Sequence, residues 1–247
     1  MRFGVLILCL MTSAVALANN LATDGTYSRQ AVSIWGRFAS PSLAPFTLTA
    51  PDGQSSIRAS YTDTDDGFVT LDVHGRVGHG VVNIGPGVGS EVLWGPGSRA
   101  FAVTTSDGGA NGLFRTIIIA HDTVGIVVRD ITPLIRSAFG HPFKCDYPEY
   151  PNVGAVKWLG AERLIVAAEI VAHSNCDSFG TFRAYEVDWR EMRVVKVFDQ
   201  ITAKRLFGWA LGIELRAAPD KCIRTPRQCW VSTNHPSEGR AIEPRPH

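Results

Sequence analysis

A strand, a tight Pro/Gly turn and a second strand follow one another three times in this chain. Two copies, Val92–Val103 and Val156–Ala167, carry a tryptophan at the matching position, Trp94 and Trp158. A weaker copy covers Leu48–Ile57. One small sheet cannot bury its face alone, so repetition of this unit indicates sheets that stack on one another. We therefore expect an all-β fold of blade-like antiparallel sheets.

The remaining pattern is consistent with this fold. The apolar runs Ile117–Ile119 and Ile126–Val128 have the length of buried strands. Helical spacing predicts one short helix over Ile131–Phe139 and a second over Ile201–Trp209. Gly85, Gly87 and Gly89 are predicted to form a flexible or tightly turning loop rather than a dinucleotide site, because the βαβ context is lacking. No strand is predicted within the glycine-rich stretch Gly75–Gly89. Further strands are expected at Ala31–Phe38, Phe46–Leu48, Phe68–His74, Ala100–Thr104, Phe114–Ala120, Thr123–Arg129, Leu164–Val171, Thr181–Trp189 and Val194–Phe198.

The first 18 residues have the layout of a cleaved signal peptide. Arg2 precedes a short apolar run, and Ala16–Ala18 forms an A-x-A cleavage site. We expect a mature β domain over 19–231, a loose polar tail over 232–247, and export to the periplasm or the medium without a stable membrane anchor. Lipidation of Cys9 is the alternative, but bulky residues precede it.

The charge of the chain excludes a nucleic-acid footprint. Of the 24 Lys and Arg residues, Arg2 leaves with the signal, so 23 basic residues face 23 acidic ones. A formal charge of zero without a basic run predicts no nucleic-acid or anionic-membrane partner. The basic residues of the C-terminal quarter are interrupted by acids and apolar residues, as on a solvated surface.

An even set of cysteines remains after the signal: Cys145, Cys176, Cys222 and Cys229. In an oxidising compartment this predicts two disulfides. Three pairings are open, and we favour Cys222 with Cys229 across a short proline-containing loop, which leaves Cys145 with Cys176. A zinc site that adds His141 or His173 is the alternative, but no C-x-x-C spacing exists.

The turns of the repeat carry a family resemblance. Leu93–Ser98 followed by Ala100–Val103 resembles the W-S-P-D-G/S turn and strand of secreted TolB-type and WD40-like β-propeller repeats, and Pro51–Gly53 matches the turn more literally. Gly95 and Gly97 stand where Ser and Asp are usual. The resemblance implies a partial or small β-propeller-like fold, because three units are fewer than the about four of a closed propeller. It implies no activity, since such repeats serve scaffolding, binding and, less often, catalysis.

Few residues point to chemistry. The chain has no nucleophile elbow, zinc helix, phosphate loop or EF-hand loop. A polar loop with His173 and Asp177, near His121 at the end of a predicted strand, could form a hydrolytic site, although hydrogen-bonding loop residues beside a disulfide are the simpler explanation. Asp63, Asp65 and Asp66 could bind calcium but also suit a bare hairpin tip. No metal or cofactor is therefore predicted.

The aromatic residues of two loops are the candidates for binding. They could form one contact surface, or they could pack over the disulfide as a small satellite core. Open blade edges could in addition be covered by a partner chain or a second copy. The function predicted is an exported protein- or ligand-binding module, with a secreted hydrolase at His121, His173 and Asp177 as the alternative. The candidate binding residues are Phe143, Tyr147, Tyr150, Phe179 and Phe182.

Overall fold

The structure of the protein is a computed structural model. It describes residues 25–33, 45–62, 68–75, 78–86, 89–106, 113–122, 125–140, 149–171, 176 and 180–220. These residues form thirteen strands in three antiparallel sheets. The strands are β1 (Val32–Ser33), β2 (Phe46–Thr49), β3 (Ser56–Thr62), β4 (Phe68–Gly75), β5 (Gly78–Pro86), β6 (Gly89–Trp94), β7 (Ala100–Ser106), β8 (Phe114–Asp122), β9 (Gly125–Asp130), β10 (Asn152–Trp158), β11 (Arg163–Glu169), β12 (Phe182–Asp188) and β13 (Arg193–Phe198). The helices are α1 (Thr132–Phe139), α2 (Gln200–Phe207) and α3 (Ile213–Ala217), with a 3-10 turn at Pro96–Ser98.

Each sheet contains a meander of four strands that are neighbours in sequence, and the second sheet adds the distant strand β1 beside β6. The first sheet has the order β2-β3-β4-β5, the second β1-β6-β7-β8-β9 and the third β10-β11-β12-β13. The predicted all-β class, with antiparallel sheets and a few short helices, is confirmed. The three repeat copies supply the turns β2–β3, β6–β7 and β10–β11, one in each sheet.

The second sheet lies between the other two, because its strands are apolar on both faces. Along β8, Ile117 and Ile119 pack against the first sheet, whereas Ile118 and Ala120 pack against the third. This is the period-two alternation of a strand, here with both faces buried. The continuous apolar run that predicted a buried strand is explained in this way.

The outer faces of the stack differ. On the third sheet, Val156, Ile165 and Ala167 are covered by α2 and α3, which contribute Ala203 and Leu215. On the first sheet, the residues that alternate with the core are exposed or partly exposed, and all but Val81 of the following are polar: Arg58, Ser60, Thr70, Asp72, His74, Val81 and Asn83. The helices thus complete one end of the stack, and solvent faces the other.

The segment 25–33 connects the helices to the middle sheet. Tyr27 accepts a hydrogen bond from the Gly212 backbone N–H at 2.8 Å, and Val32 pairs with Val92 in β1. Between these contacts the Tyr27 ring lies against Gly154, where a Cβ would stand 1.9 Å from the ring Cγ. Any side chain at position 154 would therefore displace Tyr27.

No strand was predicted within 75–89, yet 78–86 forms β5. Of the glycines predicted to form a loop, Gly85 lies in β5 and Gly89 in β6, and Gly87 lies outside the described residues. Two glycines are required there by the packing of the sheets. A Cβ on Gly80 would lie 2.5 Å from Ile126 Cδ1, and one on Gly75 would lie 2.6 Å from His121 Nε2. The glycines therefore permit close approach of the first and second sheets, instead of marking a loop.

The helix predictions are confirmed with shifted bounds. Pro133 occupies the first turn of α1, and α2 begins after Asp199, whose side chain accepts a hydrogen bond from the Thr202 N–H at 2.8 Å. The short helix α3 was not predicted. None of the helices in the described ranges is long and apolar enough to cross a membrane. Association through open sheet edges stays a prediction.

Candidate functional site

The turns of the three repeat copies lie side by side at one end of the sheets. The Asp52 backbone N–H of the first turn donates to Ser98 Oγ of the second at 3.3 Å. Trp158, which precedes the third turn, donates from its indole Nε1 to the Leu93 carbonyl at 3.1 Å. Its ring lies over Gly95, where a Cβ would come within 3.2 Å of it. The matching tryptophan position in the repeat therefore joins one sheet to the next.

A cleft of about 360 Å³ opens between the turns of the second and third sheets. It is bounded by the β6–β7 turn, the end of β8, the β10–β11 turn and the β12–β13 turn. Binding residues are commonly carried by loops on a rigid sheet scaffold, so this cleft is a candidate site. The lining residues are Gly95, Pro96, Arg99, Ala100, Ala120, His121, Asp122, Ala161, Glu162, Trp189 and Arg190.

Charges of both signs line the cleft. Arg190 Nε lies 3.2 Å from Glu162 Oε1, and the guanidinium carbon of Arg190 lies 4.7 Å from the centre of the Trp189 ring. Trp189 is held in place by a hydrogen bond from its Nε1 to the Ala161 carbonyl at 3.0 Å. Arg99 and Asp122 supply a second charge of each sign. The cleft can therefore bind a ligand that is cationic at one end and anionic at the other.

His121 does not present its imidazole nitrogens to the cleft. Its ring packs against the Gly75 backbone on the face of the second sheet that meets the first. Both ring nitrogens are buried and have no hydrogen-bond partner among the residues that the structure describes. Burial lowers the pKa of His121 below its usual value, so the ring is neutral near pH 7. Of its suggested partners, His173 and Asp177 lie outside the described residues.

Two of the five residues of the predicted aromatic surface lie in the part of the chain that the structure describes. Tyr150 is 54% exposed, and the Arg136 guanidinium carbon lies 5.4 Å from its ring centre. Phe182 is fully buried beneath α2 and belongs to the core, so it cannot contribute to a contact surface. Phe143, Tyr147 and Phe179 lie outside the described residues, as do the aspartates at 63, 65 and 66.

The cysteine predictions rest on Cys176, because Cys145, Cys222 and Cys229 lie outside the described residues. Cys176 is buried, and the two predicted disulfides stay predictions. Its Sγ lies 3.8 Å from Glu149 Oε2, four residues beyond Cys145 along the chain. This neighbour favours Cys145 as the bonded partner, and the pairing stays a prediction.

Two buried glutamates on neighbouring sheets were not predicted from the sequence. Glu91 accepts a hydrogen bond from the Tyr27 backbone N–H at 3.1 Å, and Glu169 accepts one from the Tyr27 hydroxyl at 3.1 Å. Burial raises the pKa of Glu91 to about 8, although the backbone N–H groups of Tyr27, Thr26 and Ser28 oppose the shift. Burial, together with the charge of Glu214, raises the pKa of Glu169 to about 8 against the Tyr27 hydroxyl.

Such shifts make both carboxyl groups neutral donors and acceptors near pH 7. Both are only 2–3% exposed, and they join the N-terminal segment to the second and third sheets. The role of the two glutamates is therefore structural. A charged residue in a strand carries no sequence signal for this role, because the covering Tyr27 lies 64 residues from Glu91 and 142 from Glu169.

A second group that the sequence did not predict lies on the exposed face of the first sheet. Asp72 Oδ1 is 2.6 Å from His79 Nε2 and 3.3 Å from His74 Nε2. Partial loss of water acts to raise the pKa of Asp72. Hydrogen bonds from both histidines outweigh this effect and lower the pKa. These three residues are of the types that bind transition metals, and they offer ligand atoms within 4.8 Å of one another. No metal was predicted, and the pairing of His74 with His79 depends on β5, which was not predicted as a strand.

In comparisons with protein-family models, curated proteins and solved structures, the chain matches none of them. Function is therefore argued from the geometry alone.

Proposed function

We propose that the protein is an exported binding module with a partial β-propeller-like construction, and that its cleft holds a small zwitterionic ligand such as an amino acid or a short peptide. The observation that carries the proposal is the 360 Å³ cleft with two guanidinium groups and two carboxylates in its lining. That volume lies within the range of small-molecule sites. Arg99 and Arg190 suit a ligand carboxylate, and Asp122 and Glu162 suit an ammonium group.

The ion pair between Arg190 and Glu162 does not prevent this use. Both side chains are about half exposed, at 48% and 59%. Exposed ion pairs contribute only about 0–1 kcal/mol, so a ligand with both charges can replace the pair at little cost. The Trp189 ring beneath Arg190 restricts the guanidinium to the cleft wall.

The propeller-like part of the proposal is supported by the contacts between consecutive turns. The bonds from Asp52 to Ser98 and from Trp158 to Leu93 connect three sheets in sequence order, as expected for stacked blades. The glycine at position 95, which departs from the family motif, accommodates the Trp158 ring. Export is supported by the signal-peptide layout of residues 1–18 and by the even set of cysteines that remains after them.

The hydrolase alternative receives no support from His121. A general base must come within about 2.6–3.2 Å of the proton that it accepts. With both ring nitrogens buried against the first sheet, His121 lacks that access. We therefore prefer binding over catalysis at this cleft.

Binding in the cleft is tested by thermal unfolding with a panel of free amino acids and dipeptides. A ligand at ten times its Kd stabilises the fold by about 1.4 kcal/mol, which raises Tm by about 3–5 °C. We expect such a rise for at least one zwitterion in the wild-type protein. The double variant Arg99→Ala, Arg190→Ala is expected to abolish the rise, because both carboxylate-binding groups are removed.

The matched control is Arg129→Ala, on the exposed face of β9 away from the cleft. It should keep the full ligand-dependent rise. A rise that survives in the Arg99 and Arg190 double variant would place the ligand elsewhere. No rise with any member of the panel would exclude the zwitterion assignment.

A further inference from the structure

The outer face of the first sheet carries two histidines directly opposite each other. His74 of β4 and His79 of β5 are cross-strand partners, and their ring centres are 4.6 Å apart. Asp72 precedes His74 by two residues, so strand alternation puts it on the same face. Its Oδ1 lies 2.6 Å from His79 Nε2 and 3.3 Å from His74 Nε2. Two imidazole nitrogens and a carboxylate oxygen thus converge.

This arrangement is fixed by the core on the other side of the sheet. Leu71 and Val73 alternate with the cluster residues, and they are 0% and 1% exposed. A shift of register by one residue would bury Asp72 and His74 and expose this core. The hydrophobic face therefore determines the positions from which the three side chains extend.

We propose that Asp72, His74 and His79 bind a divalent transition-metal ion such as Zn²⁺. Imidazole and carboxylate are donors that Zn²⁺ and Cu²⁺ prefer, whereas Ca²⁺ and Mg²⁺ require mainly oxygen ligands. Ligand bonds of about 2.0–2.2 Å place the donors of a tetrahedral site about 3.3–3.5 Å apart. The Asp72–His74 separation of 3.3 Å already fits.

The remaining geometry needs only small side-chain rotations. The donor atoms of all three residues lie within 4.8 Å of one another. The side chains of His74 and His79 are 51% and 56% exposed, so solvent gives them room to move. Three protein ligands leave at least one position of the ion for water or another ligand. The site is therefore open and faces solvent.

The test is calorimetric titration of Zn²⁺ into the full chain, produced without an affinity tag and treated with a chelator beforehand. We expect one ion per chain. Asp72→Asn, His74→Ala and His79→Ala are each expected to weaken binding at least about tenfold, since even changes outside the ligand shell cost 10–100-fold. Binding of Co²⁺ to the wild type should give visible d–d absorption that the His74 and His79 variants lose.

The matched control removes two other histidines, through the double variant His235→Ala, His247→Ala. It should bind Zn²⁺ as the wild type does. Because the three ligand positions are at the surface, circular dichroism and thermal unfolding should show that the ligand variants stay folded. If Zn²⁺ does not bind, or if binding is equal in all variants, the group is only a surface ion pair and the proposal is overturned.

Discussion

Replacing Tyr27 by alanine is expected to lower the free energy of unfolding by about 3–5 kcal/mol, as for other buried aromatic residues. The ring is 1% exposed, lies against Gly154, and meets the Phe114 ring edge-on at 5.2 Å between centres. Its hydroxyl donates to Glu169 Oε2. Alanine would leave a cavity between two sheets and a buried carboxyl group without its donor. The measurement is urea denaturation followed by tryptophan fluorescence.

Tyr27→Phe separates the two contributions, because it retains the ring and removes only the hydroxyl. A buried group that loses its hydrogen-bond partner costs about 1–3 kcal/mol, so the expected effect is smaller than that of alanine. The matched control is Tyr150→Ala, a change at a tyrosine that is 54% exposed. It should alter stability by no more than about 0.5 kcal/mol. Equal effects of Tyr27→Ala and Tyr150→Ala would mean that the N-terminal segment does not hold the sheets together.

The sheets could be predicted because their apolar residues follow a period of two, or form the unbroken runs of doubly buried strands. The repeated turn could be predicted because proline and glycine mark it in sequence. What the repeat could not reveal was how its copies meet. The Trp158 indole of the third sheet donates to the Leu93 carbonyl of the second sheet. This contact depends on the close approach permitted by Gly95. A glycine that departs from a motif can thus be required by a contact that lies far along the chain.

Because β5 was not predicted as a strand, the cluster of Asp72, His74 and His79 was not predicted either. Glycine is depleted in strands, and no strand was predicted in the stretch that holds Gly78, Gly80 and Gly85. In the structure these residues pair with β4, and Gly80 gives room to Ile126. Once β5 is a strand, His79 must face His74. The cluster on the first sheet was therefore missed because one strand was missed, although Asp72 and His74 already had the spacing of a shared face.

The cleft and the buried glutamates were missed for another reason. Arg99, Glu162 and Arg190 come from three turns in two sheets, and no local pattern predicts that these turns adjoin. Glu91 and Glu169 are neutral in the fold only because a distant segment excludes water from them. Properties that depend on the packing of separate sheets cannot be predicted from the spacing of residues along one strand.

The two glutamates predict an unusual dependence of stability on pH. Below about pH 4.5 both groups are protonated in the folded and the unfolded chain. Between that value and the folded-state pKa of about 8, only the unfolded chain releases their protons. Stability therefore falls as the pH rises, by about 1.4 kcal/mol per pH unit for each group. We expect a loss of at least about 3 kcal/mol between pH 5 and pH 8.

His121 acts in the opposite direction at lower pH. Its folded-state pKa is lowered by burial, so the unfolded chain binds a proton first when the pH falls below about 6.5. Below about pH 6.5 the stability lost through His121 on acidification therefore opposes the stability gained through the two glutamates. Because one histidine opposes two carboxyl groups, urea denaturation over pH 4.5–9 should show stability that falls towards high pH, with a shallower slope below about pH 6.5.

Glutamine substitutions show which carboxyl group causes the loss of stability towards high pH. Glu169→Gln keeps an acceptor for the Tyr27 hydroxyl and cannot ionise, so it should reduce the slope between pH 5 and pH 8 by about 1.4 kcal/mol per unit. Glu91→Gln should do the same, whereas Glu191→Gln at an exposed position should leave the slope unchanged. The three backbone N–H groups around Glu91 favour its ionised form. If they prevail over burial, Glu91→Gln will not alter the slope, and the neutral state of that carboxyl group is refuted while the assignment for Glu169 is tested separately.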